Sequence, residues 1–485
     1  MDSEIIRLTG LILFYFCTAL LAADDCTYQA CFCEGTQIIC QDRGLSAIPP
    51  IVGTGPDNPE LMFDTNNIMA IQAGSLPKHL KRFTAFDNPL TTIDSSAFVD
   101  SESTLEVLQL SNFRFTRFPD AFMNLTHLKY ITMYDANILD WNAKVMKNIG
   151  PGVLSLDLQN MGIVAWPDWI QFFRSLITLS LDDGGIDSLP DNALDMLANS
   201  LTTLSMNNNS LTAIPKAVSR LKALQILTLY HNKIIDIAWL PHSSNITSLG
   251  LSYNRLFNAT QLSLSLRPLA GSLNQINLVG NRFTEIPDLS FLKHVSGLDF
   301  SYNQLSDSQA GPLPSNIFNL NLEYNYLRRI PGVFSKLPTV MELMMTTNVV
   351  TEIQASDFSP WIATVDLSFN KIMELTDTSF PQNSTITTLN LNNNPIATIS
   401  QNVFNNLLRL GELNMKNTKI ARLPVALSVL TNVNFFEVDG SPYLVCTCME
   451  KSLAQWILSR PNMPDGYCGL STIRNFYFTL SQYCP

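Results

Sequence analysis

The sequence predicts an α/β solenoid, a curved stack of short parallel strands, and three observations predict it. One pattern of apolar residues and asparagine returns every 22 to 27 residues, no gap in it is long enough for a linker, and four cysteines cluster at each end. The clearest copy is Leu201 to Pro215, LTTLSMNNNSLTAIP. Leu204 and Met206 alternate inward along a short strand while Thr203, Ser205 and Asn207 point outward, as period-two geometry requires. Where the strand ends, the chain turns through the core. The Asn209 amide can donate and accept there, satisfying backbone groups that no water reaches. One such unit cannot bury its own apolar face, so it needs neighbours.

In the same frame, units start at Asn58, Leu80, Leu105, Leu128, Val153, Leu176, Leu201, Leu224, Ile246, Leu273, Val295, Ile317, Val340, Ile362, Ile386 and Leu410, sixteen in all. A degenerate copy begins at Val433. The shared motif LxxLxLxxNxLxxIP resembles the leucine-rich repeat. That resemblance implies a curved horseshoe with a parallel sheet on its concave face and irregular or short-helical segments on the convex side. Four successive repeats replace the asparagine with Phe113, Ala136, Met161 and Gly184, and a less regular stretch is expected there.

The ends carry their own signals. Residues 1–23 resemble a secretory signal peptide, with an apolar run from Leu11 to Ala23 and an n-region in which Asp2 and Glu4 accompany a lone Arg7. Cys26, Cys31, Cys33 and Cys40 then follow the spacing C-x4-C-x-C-x6-C and are similar to the N-terminal cap of extracellular leucine-rich-repeat proteins. Such a cap covers an apolar end and an open sheet edge. A zinc site is the other reading of those cysteines, and the signal segment and the absence of paired histidines speak against it. Pro442 precedes Cys446, Cys448, Cys468 and Cys484, similar to the C-terminal cap of the same proteins with one extra residue in the first gap. Cys17 leaves with the signal, and the remaining eight cysteines fit four disulfides formed in an oxidising compartment. Spacing alone allows three pairings per cluster. The resemblance implies Cys26 with Cys33, Cys31 with Cys40, Cys446 with Cys468 and Cys448 with Cys484, each contributing about 2–4 kcal/mol to its cap. The domain reading is a signal at 1–23, a cap at 24–57, sixteen repeats at 58–432, and a degenerate repeat with a cap at 433–485. The sequence stops one residue after Cys484 with no apolar segment of membrane-spanning length, which points to a secreted, extracellular protein.

Net charge is −11, and removing Asp2, Glu4 and Arg7 with the signal leaves −10. That field disfavours nucleic acid and anionic lipid and favours cationic partners. Sequons stand at Asn124, Asn208, Asn245, Asn258 and Asn383. A glycan on Asn208, beside the inward Asn209, would restrict approach to the concave face. Outward strand positions collect acids, among them Asp64, Asp87, Asp135, Asp157, Asp182, Asp183, Asp299, Glu323 and Asp366, against the bases Arg82 and Lys416. Aromatics recur there too. Tyr253, Tyr302, Tyr324 and Phe369 immediately precede the ladder asparagine, where packing at the strand exit explains them, whereas Tyr134 and Tyr230 suit contact with a ligand. Tyr134, Asp135, Asp157, Gln159, Asp182, Asp183 and Tyr230 form the candidate binding set, in the repeats that lose the asparagine and just beyond them.

No catalytic group is expected. The five histidines are scattered, no phosphate loop or nucleophile elbow is present, and the Asp182–Asp183 pair lacks further oxygen ligands for a metal. No cofactor or metal is read from the chain. The expectation is a non-catalytic binding protein that recognises another extracellular or cell-surface protein through its concave face, a basic partner being the one the charge favours. Two other roles follow from the same resemblance: innate-immune recognition, as in toll-like ectodomains, and service as a non-catalytic accessory subunit of a secreted enzyme.

Overall fold

A computed structural model of the chain describes residues 26–306, 310–460 and 466–484; the signal segment expected at residues 1–23 lies outside them. The chain divides into two compact units between Asn232 and Lys233. In each, the sequence period becomes strands that pair in parallel with the same repeat position opposite itself. Leu61, Phe83, Leu108, Ile131, Leu156, Leu179, Leu204 and Leu227 stand in one line across the N-terminal unit. In the C-terminal unit Leu298, Leu320, Leu343, Val365, Leu389, Leu413 and Phe436 do the same in a seven-stranded sheet, and Leu249 pairs with Ile276 between two further strands. All are buried. Behind the strands run 3-10 turns and short helices such as Ala143–Ile149 and Ala259–Leu266. The N-terminal unit fills that side with aromatic rings in contact, from Phe83 through Phe98, Phe122, Phe118, Trp141 and Trp169 to Phe173.

The ladder asparagines join each repeat to the one before it. Asn281, buried, donates to the Leu251 carbonyl at 2.9 Å and to its own strand's Leu278 carbonyl at 3.2 Å, while its Oδ1 accepts from the Leu256 amide at 3.0 Å. The same three-way bridge recurs at Asn303, Asn325, Asn348, Asn370 and Asn394. Just before this position, every repeat from Thr65 to Gly440 places one residue in the left-handed region, with φ between 50° and 73°. That turn swings the backbone out of the strand and delivers the next side chain into the core.

The stretch expected to be less regular is the most extended. Val107–Ser111, Tyr130–Tyr134, Ser155–Gln159 and Thr178–Asp182 are five residues long, whereas strands such as Thr203–Ser205 have three. Without an asparagine to take the carbonyls, backbone pairs with backbone for longer. Ser111 stands opposite Tyr134, Tyr134 opposite Gln159 and Gln159 opposite Asp182. The turn bond that follows is common to both kinds of repeat: the amides of Asp135 and Asp183 donate to the carbonyls of Gln159 and Asn207, as those of Thr65 and Asn208 do to the carbonyls of Phe86 and Tyr230.

Disulfides join Cys26 to Cys33, Cys31 to Cys40, Cys446 to Cys468 and Cys448 to Cys484. In the first cap an antiparallel hairpin, Phe32–Glu34 with Gln37–Ile39, lays its second strand parallel to Glu60–Met62 and so occupies the edge of the sheet. In the second, the Trp456 indole donates to the Leu430 carbonyl at 2.9 Å, and Arg460 lies over the Trp456 ring while donating to the carbonyls of Leu430 and Val433. Both bonds satisfy carbonyls that a missing next repeat would have taken. Glu450, buried, is ion-paired with Arg422 at 2.7 Å.

Replacing Asn281 with alanine strands the Leu256 amide and the Leu251 carbonyl in the core and should destabilise the chain by about 1–3 kcal/mol. Chemical denaturation reads this directly, and an unchanged midpoint would contradict the bridging role.

Candidate binding surface

The outward side chains of the N-terminal unit fall into two rows with different work. The first row faces out from the sheet. Tyr134 is half-buried, its ring stacked on Phe86 at 5.9 Å between centroids with planes 7° apart, and its hydroxyl donates to Asp157 Oδ2 at 2.6 Å. Burial, then that bond and the charge of Asp157, raise the Tyr134 hydroxyl above its ordinary range. Gln159 Nε2 donates to the other oxygen of Asp157 at 3.4 Å. Tyr134, Asp157 and Gln159 therefore form one connected polar patch on neighbouring strands.

Asp182 sits in the same row and is bound to the fold. Its carboxylate accepts from the Asn207 amide at 2.6 Å, from Ser205 Oγ at 2.8 Å and from Ser180 Oγ at 3.1 Å. Asn207 in turn accepts the Tyr230 amide on its Oδ1 at 2.8 Å. Asp182, Asn207 and Tyr230 thus relay from repeat to repeat past the point where strand pairing stops. Asp64 does the same for the Phe86 amide at 2.8 Å. Burial raises the Asp182 carboxyl, outweighing the hydrogen bonds that lower it. As a contact residue Asp182 has little left to offer a ligand.

The second row is the left-handed one, and here Asp135 and Asp183 take their place in an alternation hidden in the sequence. Asp87, Asn112, Asp135, Asn160, Asp183 and Asn208 occupy this position in six successive repeats. Each asparagine donates to the aspartate before it: Asn112 to Asp87, Asn160 to Asp135 at 2.8 Å and Asn208 to Asp183 at 2.6 Å. All six side chains are exposed, and none of the three carboxylates has an ion pair among the described residues. The alternation was readable in the frame; the left-handed backbone that turns these side chains to the rim was not. The strand bases of the two units are already paired, Arg82 with Glu60 at 3.3 Å and Lys416 with Glu437 at 3.1 Å.

The sequons are exposed at all five asparagines. Asn208 stands in the rim row, so a glycan there would project beside Asp183. Asn258 also caps the helix Ala259–Leu266, its Oδ1 accepting the Gln261 amide at 2.9 Å. Among the described residues no group of three or more His, Cys, Asp or Glu is placed to share a metal ion, and no helix is long and apolar enough to cross a membrane.

The stacked repeats, the asparagine ladder and the bonded caps define the class: this chain is a leucine-rich-repeat solenoid closed by a disulfide-bonded cap at each end. The leucine-rich-repeat family model matches residues 174–234, 199–256 and 360–435. Leucine-rich repeats and immunoglobulin-like domains protein 2 of Mus musculus is 35% identical over 115 residues, 23% of this chain and 11% of that protein. Transforming growth factor beta activator LRRC33 of Danio rerio is 24% identical over 456 residues, 84% of this chain and 66% of that protein. The chain thus spans less than two thirds of the length of either relative. A leucine-rich-repeat protein of Leptospira interrogans superposes with a TM-score of 0.54 at 20% identity, over 76% of this chain and 91% of that one, which shows the shared fold.

Replacing Asp182 with alanine should cost about 1–3 kcal/mol of stability, because the Asn207 amide loses its acceptor, whereas Asp183→Asn, which suits the left-handed backbone, should leave the thermal midpoint nearly unchanged. The Asp182 carboxyl is raised on folding, so the folded chain keeps this proton to a higher pH than the unfolded chain does. The stability tied to this group is fully present below the unfolded pKa and declines as pH rises from about 4 through the folded pKa. Asp182→Asn, which keeps an acceptor oxygen, should flatten that decline in a series of melting curves; an unaltered pH profile would refute the assignment.

Proposed function

We propose that this chain is an extracellular, non-catalytic binding protein that recognises a basic region of another protein through the exposed sheet face and rim of its N-terminal unit. The observation that carries the reading is the row of exposed carboxylates Asp87, Asp135 and Asp183, each bonded to a neutral asparagine and none paired with a base among the described residues. Spaced two strands apart, about 9.6 Å at ordinary strand spacing, they present separate negative charges to a partner along one line. Beside them, Tyr134, Asp157 and Gln159 offer a rigid aromatic and polar patch whose geometry is fixed before binding, which lowers the ordering cost of association. Four disulfides support an oxidising compartment, and the name of the relative LRRC33, an activator of a growth factor, supports a protein as the class of partner.

The double substitution Asp135→Asn with Asp183→Asn tests this, since it removes both charges and asparagine suits the left-handed backbone at each position. The variant should melt with the wild type yet retain at least about tenfold less of the partner captured by the wild-type chain from extracellular fluid at low salt. Equal capture would move the contact surface elsewhere.

A further inference from the structure

The left-handed row changes character in the C-terminal unit. Where six successive repeats of the N-terminal unit use aspartate and asparagine, residues that tolerate this backbone, between Thr65 and His231, the C-terminal unit places Tyr253, Gly280, Tyr302, Tyr324, Thr347 and Phe369 in succession before returning to Asn393, Asn417 and Gly440. Bulky rings are unfavourable at positive φ, so their presence in four of six adjacent repeats calls for an offsetting use. Packing does not supply it for Tyr324 and Phe369, which remain 42% and 54% exposed.

The rings are arranged as walls. Tyr302 and Tyr324 lie face to face at 4.2 Å with planes 8° apart, which props Tyr324 upright. The next repeat carries Thr347, a small side chain, and the one after it Phe369. Backbone bonds from Tyr324 to Thr346 and from Thr347 to Ser368 fix the order of these repeats. Tyr324 and Phe369 therefore stand two strands apart in the same row, about 9.6 Å at ordinary strand spacing, with only the smaller Thr347 in the space between them. The acids Glu323 and Asp366 border it. Burial raises the Glu323 carboxyl, and the charges of Asp366 and Asp299 raise it further. None of the three makes an ion pair among the described residues, and the exposed Lys371 beside Phe369 pairs with neither Glu323 nor Asp366.

We propose that the space over Thr347 receives the guanidinium of an arginine on a partner protein, with Tyr324 and Phe369 against its two flat faces and Glu323 supplying the opposing charge, while Asp366, held by Ser368 and Asn390, adds only to the field. The chemistry selects arginine over lysine. A guanidinium is planar, stacks on aromatic faces and gives up its hydration readily, whereas an ammonium is compact and strongly hydrated. The site takes the protein class of partner from the reading above but shares no residue with it, since the carboxylate row lies in the other unit.

The test uses the full disulfide-bonded chain and two fluorescent probes, a nona-arginine peptide and a nona-lysine peptide, titrated by anisotropy. The arginine peptide should bind at least about tenfold more tightly than the lysine peptide. Tyr324→Asn with Phe369→Asn should abolish that preference while leaving the thermal midpoint equal or higher, because asparagine suits the left-handed backbone. Glu323→Gln should weaken both probes and lower the salt dependence of binding. Asp135→Asn with Asp183→Asn should leave the arginine preference intact, which separates this site from the N-terminal row. Equal affinity for the two peptides, or a preference that survives loss of both rings, overturns the proposal. A fall in thermal midpoint on the asparagine substitutions, with the preference unchanged, would assign the rings to packing and overturn it too.

Discussion

Everything in this solenoid depends on what happens where each strand ends. The chain must leave the sheet, cross the core and return, and at the crossing it carries backbone amides and carbonyls into a place without water. Two solutions coexist in one chain. In most repeats a buried asparagine bridges its own strand to the loop of the repeat before, as Asn281 does between Leu251 and Leu256. In four repeats of the N-terminal unit no asparagine stands at the crossing, and the paired strands there are five residues long. Both solutions share the left-handed residue that precedes the crossing. The outward chemistry of the rim is therefore written at a position whose conformation is set from inside.

Much of this was legible in the sequence, for identifiable reasons. Hydrophobic period reports burial, so the aligned leucines from Leu61 to Leu227 could be found by counting, and the cysteine clusters could be found because spacing is all they require. What hydropathy cannot report is the sign of φ. Asp135 and Asp183 looked like ordinary strand acids, and Tyr302, Tyr324 and Phe369 looked like packing residues, because the rings hide a turn that only the recurring Asp, Asn and Gly at this position mark. Asp182 misled in the opposite way. It has the same side chain as Asp183 and stands next to it, yet one lies within reach of the Asn207 amide and the other at the rim.

The repeats without asparagine teach a related lesson. Phe113, Ala136, Met161 and Gly184 read as a broken motif, and a broken motif suggests irregular structure. The backbone has donors and acceptors of its own, however, and with no side chain competing for them they pair across neighbouring strands. Loss of a side-chain device here lengthens the secondary structure that the device would have cut short. The candidate binding patch of Tyr134, Asp157 and Gln159 sits on those longer strands.

The extended block has a consequence for how such a surface can change over time. A repeat held by its asparagine is tied to that one residue, and any substitution there strands buried backbone groups. A repeat held by main-chain pairing carries no such constraint at the same position, so its interior residue can be chosen by local fit alone: a phenylalanine stacked on Phe115, or a glycine where a larger side chain would meet the Ile163 carbonyl. Diversification is easiest where the fold asks least of the side chains, and in this chain that region carries the patch of Tyr134, Asp157 and Gln159.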